Sequence, residues 1–323
     1  MAWANLNGST EDYLMPIDPL LPAFILIGAP KTGTVSIHQY LRQHPLISLP
    51  IKKETHFFIA DSSSNSQKSY YDLSYPNAIT NISAYKDLFE NPNPAAIRGE
   101  VCPSYLAHPH AAENIFRYSP DCKLIAILRD PTERFYSNTR FYFNNLSKKT
   151  TTDVILTQKL FEEEVIKLIK GQGSIQFQRF FNDGLYFANL QRFYQLFPSA
   201  NIKIFLYREL VQDSNALLNQ MIGMLGLPEF EFDTDKKFNT SGEIRNIWFY
   251  RSIKKLPYAK HIRKWIKPVT YEFLRQKFEM VIIGKKEKNI TDLARKTLID
   301  LYRDDILALE DLIDKDLSGW IRV

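Results

Sequence analysis

Seven residues, Gly28-Ala-Pro-Lys-Thr-Gly-Thr34, narrow the choice of fold more than any other part of the chain. They follow Phe24-Ile-Leu-Ile27, an unbroken apolar run, and lead into Thr34 to Gln43, where Ile37, Tyr40 and Leu41 share one helical side. A short, wholly apolar run closed by glycine reads as a strand buried on both faces, the habit of parallel sheets. A helix that starts straight after a glycine-bearing turn aims its first backbone N–H groups, and the positive end of its dipole, at an anion. Lys31 adds a point charge, and Thr32 and Thr34 add hydroxyl donors. A plain tight turn is the alternative, and the strand–turn–helix context disfavours it.

The alternation continues down the chain. Lys123-Leu-Ile-Ala-Ile-Leu128 and Ile202-Lys-Ile-Phe-Leu-Tyr207 read as two more buried strands, and Ala95 to Glu100 as a weaker one. Arg129-Asp-Pro131 ends the first of these, with proline well placed to open a helix. Further helices are predicted over Asp213 to Leu225 and Thr291 to Ile313. Strands alternating with helices imply an α/β chain, a three-layer sandwich around a mostly parallel central sheet, with the phosphate-binding loop after the first strand. Residues 1–22 are polar and proline-punctuated and read as a linker or tail; 23–323 read as a single domain. A stretch at about 144–183, with a helix over Asp153 to Lys170 and a Gly171-Gln-Gly173 stop, breaks the rhythm and reads as a helical insertion.

Composition excludes several classes. With 323 residues, 45% hydrophobic and 24% charged, the chain is neither disordered nor fibrous and is long enough for a substantial core. Two cysteines, Cys102 and Cys122, exclude a disulfide scaffold and a cysteine-rich zinc module. The longest apolar run, Leu20 to Ala29, contains Pro22 and is too short to span a bilayer. With no basic start followed by an apolar stretch, a cytoplasmic location is the expectation. His108 and His110 have no third ligand nearby and read as loop histidines, and Cys102 as a small packed residue.

Which anion the loop holds is constrained by spacing. The nucleoside-triphosphatase loop needs Gly-Lys-Ser/Thr, and here Lys31 stands before Gly33. The Gly-x-Gly-x-x-Gly of dinucleotide folds is absent too. Ala29-Pro-Lys-Thr-Gly-Thr34, Leu128-Arg-Asp-Pro131 with Arg134 and Ser137, and Lys53-Glu-Thr-His-Phe-Phe58 together resemble a sulfotransferase. The similarity continues through Gly184-Leu-Tyr186, Leu190, Phe197-Pro198 and Gly226-Leu227, and covers about Phe24 to Trp320. It implies 3′-phosphoadenosine 5′-phosphosulfate (PAPS) as co-substrate and its desulfated form (PAP) as product; no carboxylate or histidine cluster in the sequence demands a metal, so no metal is expected. By the same resemblance Lys31, Thr32, Gly33, Thr34 and Val35 take the 5′-phosphosulfate, and Arg129 and Ser137 the 3′-phosphate. Arg129 would sit at the carboxyl end of a parallel strand, where α/β ligands bind, and its guanidinium forks onto phosphate oxygens. Asn239-Thr-Ser-Gly-Glu-Ile-Arg245 resembles a late loop that closes over the nucleotide, which adds Ser241, Gly242 and Arg245; an ordinary turn is the competing reading.

Sulfuryl transfer to a hydroxyl needs in-line positioning, charge stabilisation and a base. Glu54 stands where glycan sulfotransferases carry their catalytic glutamate. His56, two residues on, would share its side in an extended segment and is the second candidate; Glu100, at a predicted strand end, is the third. The alternatives are pairing of Glu54 with Lys52 or Lys53, a satisfied His56 beside Phe57 and Phe58, and pairing of Glu100 with Arg98. In Glu100-Val-Cys-Pro-Ser-Tyr105, Val101 replaces the lysine of glycan-type members, and no cysteine-flanked loop follows Cys122, so a heparan-type acceptor is disfavoured. Similarity to sulfotransferase modules of polyketide synthases implies a β-hydroxyacyl chain on an acidic acyl carrier protein; a small metabolite is the other candidate. A glycan O/N-sulfotransferase and a P-loop nucleotide kinase or triphosphatase are the rival functions. The basic segment Arg251 to Lys267 has no acidic residue and reads as a solvated face or a docking patch for an acidic partner, with no nucleic-acid motif beside it.

Overall fold

Apolar runs that lack polar alternation need both faces covered, and the sheet supplies this. A computed structural model of the chain describes residues 18, 20–50, 52–60, 75, 77–89, 93, 95–149, 156–235, 243–244, 283–284 and 290–322. In chain order the elements are β1 (Phe24–Gly28), α1 (Thr34–Leu41), β2 (Ile47–Ser48), α2 (Phe57–Ala60), α3 (Ile82–Lys86), β3 (Ile97–Val101), α4 (Ala111–Tyr118) and β4 (Lys123–Leu128). They continue as α5 (Pro131–Lys149), α6 (Gln158–Ile169), α7 (Ile175–Asn182), α8 (Tyr186–Tyr194), β5 (Ile202–Leu206), α9 (Tyr207–Gln212), α10 (Ser214–Met224), the short β6 (Glu243–Ile244) and β7 (Ile283–Gly284), and α11 (Asp292–Ile313). Ser241, Gly242, Arg245 and the basic segment 251–267 lie outside the described residues, as do residues 1–17 of the expected tail.

The sheet runs β2-β3-β1-β4-β5 and every pair in it is parallel. β1 sits in the middle, so all five of its residues are buried, which is what its unbroken apolar sequence requires. Phe24, Leu26, Ile125, Ile127 and Phe205 pack with Ile37, Tyr40 and Leu41 of α1 and with Leu217, Leu218, Met221 and Ile222 of α10. Ile25, Ile27, Leu124, Ala126 and Leu128 alternate to the opposite face and are buried as well, so that face is also covered.

The chain divides into two compact units. The first comprises 1–134, 181–239 and 301–322 and holds the five-stranded sheet; the second comprises 135–180, 240–300 and Val323. In the second, Phe135 packs its ring against Phe161 and Phe177, at 5.7 and 6.1 Å between centroids. α6 starts at Gln158, later than the Asp153 expected, because the Thr157 hydroxyl caps it by accepting from the Leu160 amide at 3.1 Å. β5 stops one residue early for a similar reason: the Glu209 carboxylate accepts from the Leu206 amide at 2.6 Å and turns the chain into α9.

Candidate active site

The loop after β1 is built from backbone. Gly33, the residue before α1, has φ of 81°, and no side chain caps the helix. No acidic residue occupies the first turn, so the positive end of the helix is not neutralised from within. Lys31 also takes a left-handed conformation, φ 73°. The Thr32 hydroxyl donates to the Ala29 carbonyl at 2.7 Å and is fully buried. That corrects one expectation: the Thr32 hydroxyl closes the loop on itself, and its contribution to an anion would come from its backbone N–H. Thr34 is buried at the first helical position and Val35 half-buried behind it. A Cβ built on Gly33 would meet Leu210 Cδ2 at 2.9 Å and Tyr207 Cε2 at 3.7 Å, so α9 lies directly over the loop.

Arg129 extends from the carboxyl end of β4, the neighbour of β1. Its guanidinium lies over the Tyr207 ring, 5.0 Å from the centroid, and its Nη1 is 3.5 Å from the Lys31 carbonyl. Its ion pair is with Glu133, 2.6 Å away and four residues on, not with Asp130. Asp130 is engaged as the cap of α5, its carboxylate accepting from the Thr132 amide at 2.8 Å and the Thr132 hydroxyl at 2.6 Å. The Arg-Asp-Pro-Thr-Glu run is thus a helix start that frees the arginine to face the loop. Tyr186 donates to the Arg129 carbonyl at 2.9 Å. Gly184, two residues before it, sits where a Cβ would come 2.8 Å from the Tyr302 hydroxyl and 3.0 Å from Arg134 Nη2. Ser137, on the part of α5 that belongs to the second unit, is half-buried.

The base candidates lie one strand over, beside β3. Glu54 and His56 are not in an extended segment: both are left-handed, with φ of 63° and 56°. Glu54 is partly exposed and paired with Lys53. His56 Nε2 lies 3.9 Å from Glu54 Oε2, while Nδ1 lies 3.0 Å from Ser104 Oγ and 3.4 Å from Cys102 Sγ. The imidazole stacks on Tyr75 at 4.1 Å. His56 is therefore fixed at one nitrogen and turned toward the carboxylate at the other. The link to the loop runs through α1, where His38 Nε2 donates to the Pro50 carbonyl at 3.0 Å. Burial drives the His38 pKa down to about 4, the Pro50 bond opposes this, and Lys53 lies close enough to lower it further.

Glu100 is placed differently from the cleft-lining position its strand end suggests. It is 1% exposed. Oε1 accepts from the hydroxyls of Thr55 at 2.5 Å and Tyr105 at 2.9 Å, and Oε2 from Tyr85 at 2.6 Å. Burial raises its pKa, and the hydroxyls of Thr55, Tyr85 and Tyr105 pull against that rise. A carboxylate so enclosed has no path to a substrate proton, and Arg98 is not what holds it. Burial likewise pushes the Cys102 thiol far up, which suits packing and not nucleophilic attack. Ser104 and Tyr85 have no motif signal of their own; Tyr105 is the tyrosine that ends the quoted Glu100–Tyr105 run. Among the described residues no group of three His, Cys, Asp or Glu is placed to hold a metal ion, and no helix is long and apolar enough to cross a membrane.

A chain that gathers a lysine, an arginine and an uncapped helix start at the carboxyl edge of a parallel sheet, with a carboxylate and an imidazole one strand away, belongs with the α/β enzymes that move anionic groups. Residues 21–282 match the sulfotransferase domain family. The chain belongs to the sulfotransferase family. The sulfotransferase of Alicyclobacillus acidocaldarius shares its fold, with a TM-score of 0.62 at 23% identity over 94% of this chain and 99% of that one. Bifunctional heparan sulfate N-deacetylase/N-sulfotransferase 1 of Caenorhabditis briggsae is 26% identical over 234 residues, 68% of this chain and 24% of that protein. Heparan sulfate glucosamine 3-O-sulfotransferase 3B1 of Homo sapiens is 29% identical over 221 residues, 68% of this chain and 50% of that protein. The matched segments thus span about a quarter of the first of these relatives and half of the second.

Proposed function

We propose that this chain transfers a sulfuryl group from PAPS to an acceptor hydroxyl, with Glu54 as general base. The observation that carries the reading is the neighbourhood of two unlike devices: an uncapped helix start with Lys31 and Arg129, and the Glu54–His56 pair beside β3. The residues fit the co-substrate. Backbone N–H groups from Thr32 to Val35 and the Lys31 ammonium suit the 5′-phosphosulfate, whose sulfuryl group is the one transferred. Arg129, backed by Tyr207, suits the 3′-phosphate, for which it would exchange its Glu133 partner. Ser137, Ser241, Gly242 and Arg245 complete that side in this reading. Glu54 accepts the acceptor proton, and His56, fixed by Ser104, keeps the carboxylate oriented. Lys31 stabilises charge that grows on the oxygen left behind.

For the acceptor we favour a β-hydroxyacyl chain carried on an acidic acyl carrier protein, or a small hydroxylated metabolite. Val101, where glycan-type members hold a lysine, supports this. The heparan sulfate relatives favour a glycan as the second reading. Two free, buried cysteines suit a cytoplasmic, reducing setting. Calorimetric titration with PAP and with Mg·ATP, followed by a screen of hydroxylated acceptors with labelled PAPS, tests the reading. PAP should bind and Mg·ATP should not; tight Mg·ATP binding without PAP binding overturns it.

A further inference from the structure

Glu54 and His56 flank a residue that the chemistry does not use. Thr55 is fully buried, yet the residues on either side of it hold left-handed backbone, which the Cβ of a non-glycine residue disfavours. Such strain persists only where the surroundings over-determine the conformation. They do so here through the hydroxyl and the carbonyl of Thr55. The Thr55 hydroxyl donates to Glu100 Oε1 and accepts from the Phe57 amide at 3.2 Å, while the Thr55 carbonyl accepts from the Ile79 amide at 2.9 Å. Tyr105, which shares Glu100 Oε1, has its own hydroxyl 3.4 Å from the Phe58 amide.

The far end of this clasp is rigid. Glu100 pairs through its backbone with Ile25 in the centre of the sheet. Its side chain is walled by Tyr85, Tyr105, Phe57 and Phe58, whose rings pack on one another at 4.4 to 5.6 Å. A carboxylate in such a place is a liability to stability, since an apolar residue of similar size avoids the cost of burying charge. What the carboxylate gains is direction: it is the only kind of side chain that accepts from three hydroxyls at once without donating.

We infer that Glu100 is a positioning residue, which acts through the Thr55 hydroxyl to hold Glu54 and His56 at the angle the reaction needs. The inference rests on the reading of Glu54 as base and replaces the idea of Glu100 as a base itself. Displacing a reacting group by 1 Å costs on the order of a hundredfold in rate.

The test compares Thr55→Val, which keeps the shape and removes the hydroxyl, with Thr55→Ser, which restores it. The probe is the acceptor returned by the screen, a β-hydroxyacyl pantetheine thioester being first in it. Thr55→Val should lower kcat about ten- to a hundredfold with PAP affinity within about twofold of wild type, and Thr55→Ser should regain most of it. Wild-type kcat in Thr55→Val, or an equal loss in Thr55→Ser, overturns the inference. Glu100→Gln carries the same comparison if Thr55→Val does not fold. The Glu54→Gln, Thr55→Val double variant separates the two ideas. If Thr55 acts through Glu54, the second change adds little to the first; a full additional loss overturns that route. Full activity in Glu54→Gln alone overturns the base reading itself, and the clasp then survives only if Thr55→Val still lowers kcat, through His56.

Discussion

The loop at 28–34 and the segment at 53–56 face the same edge of the sheet, and they are held in opposite ways. The loop is closed from within: Thr32 bonds to Ala29, three residues away, and a glycine fills one of its two left-handed positions, with Lys31 at the other. The segment at 53–56 has no glycine at its two left-handed positions. It is held from 45 residues away by Glu100, and His56 from 48 residues away by Ser104. Local closure makes a rigid, preformed cradle that binding requires in every state of the reaction. Distant anchoring lets a strained segment present the proposed base, whose placement would matter only at the step of transfer. Substitutions in the two regions should therefore differ in kind: affinity on one side, turnover on the other.

The largest effect should come from Glu54→Gln. It should lose roughly two to four decades of turnover, the usual worth of a general base, while PAP affinity stays at the wild-type level. Near-normal turnover would move the role to His56. Lys31→Ala blurs the division by design, because in the proposed reaction its charge would meet the leaving oxygen. Its kcat should fall about a hundred- to a thousandfold, with a much smaller change in PAP affinity, as for other donors aimed at developing charge. A loss confined to affinity would place Lys31 with Arg129 as a binding residue.

Smaller effects test the two kinds of scaffold. Gly33→Ala should cost about 1–2 kcal/mol of stability, since alanine resists a φ of 81° and its Cβ would crowd Leu210. Thermal unfolding measures this, and an unchanged melting temperature would mean the loop rearranges freely. His38 joins the two regions, from α1 to Pro50. Its folded pKa is near 4 against an ordinary 6.5, so the unfolded chain takes up a proton in that window and the folded chain does not. Stability should then fall as pH drops from about 6.5 to about 4, by at most ~3 kcal/mol from this group. His38→Gln should remove that part of the acid sensitivity, as read by denaturant midpoints over pH; an identical pH profile in the variant would show that other groups cause it.

The same contrast explains what the sequence reveals. β1, β4 and β5 are legible because a strand buried on both faces must be apolar throughout, and the loop is legible because its determinants are adjacent. β2, two residues long, carries no period to read, whereas α4 and α8 do carry a helical spacing, at Ala111, Ala112, Ile115 and Tyr118 and at Tyr186, Leu190 and Phe193. Arg129 is legible as a cleft residue, but its partner is not: Asp130 is the nearer acid, and its role as a helix cap, with Pro131 behind it, sends the guanidinium to Glu133. Glu54 and His56 are legible by motif, while their left-handed backbone is not, because the Glu100 carboxylate that anchors the Thr55 hydroxyl between them comes from β3, 45 residues away. Glu100 illustrates the limit most plainly. A glutamate at a strand end looks available, and only the tyrosines that fold over it from α3 and from the turn after β3 show that it is enclosed.

The division between binding loop and base segment is tested most directly by nucleotide discrimination in two single variants. Titrating wild type, Arg129→Ala and Glu54→Gln with PAP and with its 3′-dephospho form, adenosine 5′-phosphate, reads the 3′-phosphate contact alone. Arg129→Ala should bind PAP about ten- to a hundredfold more weakly, as expected for a lost charge-assisted pair, and should cease to prefer it over the 3′-dephospho form. Glu54→Gln should keep the wild-type preference. An Arg129→Ala variant that still prefers PAP, or a Glu54→Gln variant that loses the preference, would contradict the division.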